Sequence, residues 1–240
     1  MAAPKAEPLV FTYKFKFPDK SSVKMDVRLD PDTLAVIEEH PDPAPEWTKL
    51  EYRQCPNCPL NPKDSPLCPV AAKLHGVVAR FKDSVSFSRV EVQVTSGQRH
   101  VKKTASVADA LTSLMGIFMA GGGCPILDRM RPMLLTHMPF ASGLETFYRS
   151  LSTYLLGQHF VAEAGGTPDW TFGRLGESSD AIQDVNQAFC RRLQGLGIAD
   201  GVLNAISHLD CFAMLVGRQL RDRQIDKIRM LFTSYLKPAK

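Results

Sequence analysis

A chain of 240 residues, 44% apolar and 22% charged, is long enough to bury a sizeable core and too apolar to be disordered throughout. The formal net charge of +4 is spread along the chain, with local clusters at 99–103 and 218–229. The second cluster is interleaved with Asp222 and Asp226 and reads as a solvated helix face, so nucleic-acid binding is not expected.

Residues 1–8 are polar, contain proline and show no apolar leader core. The most apolar long stretch, 105–120, carries Asp109 and is too short and polar to cross a membrane. The expectation is a cytoplasmic protein with no membrane attachment. In that reducing compartment six cysteines are ligands, reactive thiols or core packing, not disulfides.

From Phe11 to Phe17 aromatic and other residues alternate, and alternation resumes over 23–29 after a turn at 18–21. Period-2 patterning on both sides of a turn predicts a β-hairpin. A short strand is expected at 34–37, a loop at 40–45 with its three prolines, and a sheet extension at 47–52. A proline-rich loop, 54–69, carries three cysteines. An amphipathic helix follows over 70–82, with Leu74, Val77, Val78 and Phe81 on one face.

A second hairpin is predicted from 90–94 and 100–104, turning at Ser96 and Gly97. Ser106 is placed to cap a helix reaching about Ala120, which Gly121, Gly122 and Gly123 end. Beyond it, helices are expected over 144–164, 180–196, 201–220 and 222–236. The fold class is therefore α+β: N-terminal antiparallel β hairpins followed by a mostly helical C-terminal bundle. A division into an α+β metal-binding region, 1–141, and a helical region, 142–240, is weakly marked, and one continuous domain is the alternative.

The strongest non-random feature is the pairing of cysteine with proline. Cys55, Cys58, Cys68 and Cys124 are each followed by proline, whereas chance predicts about 0.4 such pairs (6 × 17/240). Proline holds the preceding residue in extended backbone and stiffens the loop, so less entropy is lost when ligands gather. At Cys68 and Cys124 it also suits the first position of a helix. Each cysteine would then be an N-cap, where the helix terminus favours thiolate, the metal-binding form.

The spacing is Cys55-x2-Cys58-x9-Cys68-x55-Cys124. Two intervening residues let the first pair reach one centre, and the fourth cysteine arrives after a glycine run that permits close backbone approach. Four thiolates suit an iron–sulfur cluster, such as a 4Fe-4S centre, or Zn²⁺. Only one CxxC knuckle is present, with proline where zinc knuckles often carry glycine, so the cluster is the first reading and zinc the alternative. A plainer reading has the prolines shaping loops around buried thiols with no metal.

Cys190 and Cys211 lie on helical patterns and are expected as small core residues. His137 is a candidate ligand, a donor to a thiolate or a proton carrier, against the plainer reading of a loop histidine. His75, two helical turns after Cys68, is too distant for the same ion. Asp128, Glu145 and Asp210 form no evident acid–base pair. No phosphate-binding or nucleophile-elbow motif is present.

The blocks Cys55-Pro56-Asn57-Cys58-Pro59-Leu60, Cys68-Pro69-Val70-Ala71, Gly123-Cys124-Pro125-Ile126-Leu127 and His137-Met138-Pro139-Phe140-Ala141 resemble those of a bacterial family of unknown function. The resemblance extends from the first hairpin to beyond Trp170. It implies a bacterial origin and that the blocks belong together, and it brings no activity or ligand set.

Three functions remain open from the sequence. The first is an iron–sulfur protein serving electron transfer, redox sensing or folding. The second is a structural-zinc module whose helical half engages a protein partner. The third is an enzyme using the metal or His137 on a small molecule, which a pocket lined by His137, Cys124 and Tyr148 would favour.

Overall fold

The computed structural model describes residues 6–37 and 43–237. Residues 1–5, and positions 40–42 of the expected loop at 40–45, lie outside the described residues.

Alternation dictates the sheet. In β1 (Leu9–Lys16), Phe11, Tyr13 and Phe15 point inward and are buried, while Lys14 and Lys16 face solvent. β2 (Ser22–Leu29) pairs antiparallel with β1 from Leu9 opposite Leu29 to Lys16 opposite Ser22. β3 (Arg89–Ser96) and β4 (Arg99–Ser106) form the second hairpin, turning at Gly97, whose φ of 54° suits glycine. β3 also pairs antiparallel with β1, so the sheet order is β2-β1-β3-β4.

One face of this sheet covers α1 (Pro69–Phe81) and α2 (Val107–Gly121). The Phe15 and Phe81 rings meet edge to face at 4.9 Å. The hydroxyl of Ser106 accepts from the Asp109 N–H, capping α2 as predicted. Twelve of the fifteen α2 residues are buried, because the sheet, α5 (Asp200–Arg221) and a 3-10 segment (Leu127–Thr136) all pack around it. A helix apolar on all sides is here a central core helix. No helix among the described residues is long and apolar enough to cross a membrane.

α3 (Gly143–Glu163) opens with a capping box between Ser142 and Glu145. α4 (Gly173–Gln194) pairs with α5. The main core joins residues of all four strands to residues of α1, α2, α4 and α5. It draws on both sides of position 142.

Several expectations about elements differ from the structure. Residues 47–52 do not extend the sheet: Glu46–Thr48 is a 3-10 turn, and Lys49 bridges Leu67 in the cysteine loop. The strand at 34–37 is reduced to a single bridge, Leu29 to Val36. The last expected helix, 222–236, breaks into Ile225–Ile228, Arg229–Phe232 and Thr233–Leu236, with no buried residue. Short helices are marginal without a packed face, and Met230, Leu231, Tyr235 and Leu236 remain exposed.

Candidate metal centre

Each candidate cysteine owes its place to a local reason. Cys68 is the N-cap of α1, with φ −67° and ψ 116°, the extended geometry that Pro69 imposes, and Pro69 takes the first helical position. Its N–H donates to the Thr48 carbonyl at 2.8 Å, and Leu50 N–H donates to the Pro66 carbonyl at 2.9 Å. Residues 48–50 thus form a short ribbon with 66–68, and this ribbon carries Cys68.

Cys55 and Cys58 close a turn in which Cys58 N–H donates to the Cys55 carbonyl at 3.1 Å. The turn is docked on α4: Asn57 Nδ2 donates to the Ala181 carbonyl at 2.9 Å, and Arg53 donates to the Arg191 carbonyl.

Cys124 is delivered by glycines. A Cβ on Gly122 would strike the Phe118 carbonyl and crowd Val70, and Gly123 has φ +94°. The backbone therefore passes close to the start of α1, where only glycine fits. Cys124 does not cap a helix, contrary to expectation. The 3-10 segment begins after Ile126, and Pro132 within it helps keep it from becoming a regular α-helix. The cysteine gains a related benefit, because the backbone N–H groups of Leu127 and Ile126 pull its thiol pKa down.

All four cysteines border one cavity of about 20 Å³. Its other walls are apolar side chains of Leu50, Leu60, Val70, Ile126, Val185 and Phe189, together with Gln54, Pro69 and Arg192. Among the described residues, no carboxylate or imidazole lines it. Burial pushes the Cys55 thiol up to about 12; the charges of Cys68, Cys124 and Cys58 add to this and Arg192 opposes it. Burial also raises Cys124, against the pull of the two backbone N–H groups. Both thiols are therefore protonated at neutral pH, and a metal must displace those protons to bind.

Among the described residues, no group of three or more His, Cys, Asp or Glu side chains is drawn together as the ligands of a metal ion. The four sulfurs surround the hollow without converging in it. The donor chemistry nonetheless fits an all-sulfur centre, because four sulfurs and, among the described residues, no carboxylate share one largely apolar hollow.

His137 is placed elsewhere. Its Nε2 lies 2.8 Å from the hydroxyl of the buried Tyr13, which is also 2.9 Å from Ser113 Oγ, and Phe11 meets the imidazole edge to face at 5.1 Å. Burial drives the His137 pKa down to about 3, with Arg149 contributing. Neither His137 nor Tyr148 lines the cysteine cavity; Tyr148 stacks on Phe232. His75 faces Trp47, with ring centroids 6.4 Å apart. Asp128 pairs with Arg131, and Glu145 belongs to the capping box. Asp210 Oδ1 is buried without a partner, and burial raises its pKa.

Cys190 packs against the core as expected, whereas Cys211 is exposed, contrary to expectation. Apolar residues flank Cys211 in sequence, but it lies on the solvent side of α5.

Two residues beside the site escape sequence reasoning. Asn57 sits between two of the cysteines and anchors their turn, with its Oδ1 buried and unpaired. Arg192 is 1% exposed; its Nη1 donates to the carbonyls of Trp47 and Lys49, both at 2.7 Å, and its Nη2 to that of Leu50 at 3.1 Å. The helical spacing of Val185, Phe189 and Arg192 places the arginine on an apolar stripe, and that signal was available.

Fold and site together define an α+β protein in which four cysteines from three stretches of chain wall a single cavity. The chain belongs to the family described as a domain of unknown function (DUF6901), whose model matches residues 11–233. No curated protein and no solved structure matches it.

Proposed function

We propose that the protein holds a metal centre through Cys55, Cys58, Cys68 and Cys124, with an iron–sulfur cluster as the first reading. The observation that carries this is a shared cavity: the four Cys-Pro cysteines, separated by up to 69 positions (124 − 55), border the same hollow. Cys190 and Cys211, which lack the proline, lie outside its walls.

A redox or sensing role is favoured over a purely structural one by the extent of the core. The sheet, α1, α2, α4 and α5 already share a continuous hydrophobic interior. A chain with such a core does not depend on an ion for folding, as very small zinc domains do. All four cysteines are partly exposed, so a redox partner or oxidant can approach the centre. Structural zinc on the same ligands is the second reading, favoured by the all-cysteine donor set.

The test is iron, acid-labile sulfide and zinc analysis, with an absorption spectrum, on full-length protein purified without oxygen. Iron with sulfide and broad visible absorption are expected. One colourless zinc per chain would select the second reading. Protein with neither metal, and no uptake on anaerobic reconstitution, would overturn both.

A further inference from the structure

Among the described residues, the largest fully buried side chain is a cation. Arg192 projects from the apolar stripe of α4 into the wall of the cysteine cavity. Its hydrogen bonds go to three backbone carbonyls, and its guanidinium lies 5.8 Å from the centre of the Tyr52 ring. No Asp or Glu forms an ion pair with it among the described residues. Carbonyl dipoles and an aromatic face solvate a guanidinium but do not neutralise it. Buried charges are ordinarily paired. The groups able to become anionic on the same wall are the four cysteines.

We infer that Arg192 is the counter-cation of a tetrathiolate centre formed by Cys55, Cys58, Cys68 and Cys124. This rests on the metal-centre reading. The charge balance is direct. Four thiols release four protons to solvent and take up a divalent ion, or a cluster core of charge +2, leaving two net negative charges. Arg192 cancels one of them within the same apolar enclosure, where screening by water is weak.

The arginine also links charge to geometry. It grips the carbonyls of residues 47, 49 and 50, while that of the intervening Thr48 accepts from Cys68 N–H. The cation and one ligand are therefore fixed to the same four-residue segment.

The test separates charge from clamping. Full-length protein, stripped of metal and kept reduced without oxygen, is titrated with Co²⁺ and followed by its thiolate-to-metal absorption. Arg192→Lys keeps the charge and loses the planar fork; Arg192→Gln keeps amide donors and loses the charge. Arg192→Lys is expected to bind closer to wild type, and Arg192→Gln to lose about tenfold or more in affinity. Equal affinities for the two variants would overturn the inference: both weak would make the arginine a clamp only, and both tight would leave it no role in binding.

A second pair guards against misfolding at position 192. Val185 lines the same cavity. Val185→Asp supplies Arg192 with a competing carboxylate and is expected to weaken Co²⁺ binding by about tenfold relative to the isosteric Val185→Asn. No difference between them overturns the inference. Failure of the wild-type protein to take up either Co²⁺ or, on anaerobic reconstitution, an iron–sulfur cluster would instead bring down the four-cysteine reading itself.

Discussion

Two buried polar centres lie in this fold, and they are built on different terms. Around Tyr13, the phenol, the His137 imidazole and the Ser113 hydroxyl satisfy one another at 2.8 and 2.9 Å, and the imidazole is held neutral. That cluster is complete as it stands. Around Arg192, a cation has three carbonyls and the Tyr52 ring for partners and, among the described residues, no carboxylate, and four thiols ring a hollow. That cluster lacks an anion. Buried polar groups that satisfy one another specify a core, whereas a charge without its opposite points to something still to be bound.

The sharpest way to break the comparison is Cys124→Ser. It removes the ligand that ties the 54–69 loop to the end of α2. Metal content is expected to fall, with a loss of about 2–4 kcal/mol in stability, less than in a minimal zinc domain because the core persists. Metal analysis and thermal unfolding of the loaded protein check this together. Unchanged values for both would reduce the cysteine cavity to ordinary packing.

Much of the fold was legible because it rests on local pattern. Phe11, Tyr13 and Phe15 alternate, so β1 and its inward face follow; Ser106 precedes an apolar run, so α2 begins where expected. The grouping of four cysteines was suggested by the prolines after them, and all four border one cavity. What stayed hidden depends on tertiary contacts. Residues 47–52 look like a sheet extension, but 48–50 pair with the loop at 66–68 and the carbonyls of Trp47, Lys49 and Leu50 are taken by Arg192, 142 to 145 positions away. α4 begins at Gly173, not at 180. Glycines at 173 and 176 depress helix propensity there, but Phe172 turns the chain with φ 65° and Leu175 packs into a small cluster with Phe147, Leu151 and Val216.

The Tyr13 centre offers an intermediate effect with a defined pH dependence. Tyr13→Phe leaves His137 Nε2 without its phenol and is expected to cost about 1–3 kcal/mol while leaving metal content unchanged. In the wild-type protein the folded His137 pKa lies near 3 against an ordinary value of 6.5. Between these values the unfolded chain binds the proton and the folded one does not. The contribution of His137 is therefore fully present above 6.5 and is lost progressively as pH falls toward 3. His137→Gln should flatten that part of the stability profile measured by denaturant unfolding. An unaltered profile would mean that the imidazole takes up protons in the folded state and that this centre is open after all.

The smallest expected effect isolates the cysteine-proline pairing from cysteine as such. Cys211 is exposed on α5, has no following proline and stands outside the cavity. Cys211→Ser removes one sulfur from the chain, as Cys124→Ser does, and exchanges a thiol for a hydroxyl in water. Stability should change by no more than about 0.5 kcal/mol, and metal content should not change. Loss of metal from Cys211→Ser would show that the centre recruits a thiol outside the cavity, through a second copy of the chain or a large rearrangement of α5. The four-ligand set would then have to be redrawn around a cysteine that neither its sequence context nor its place in the fold marks as a ligand.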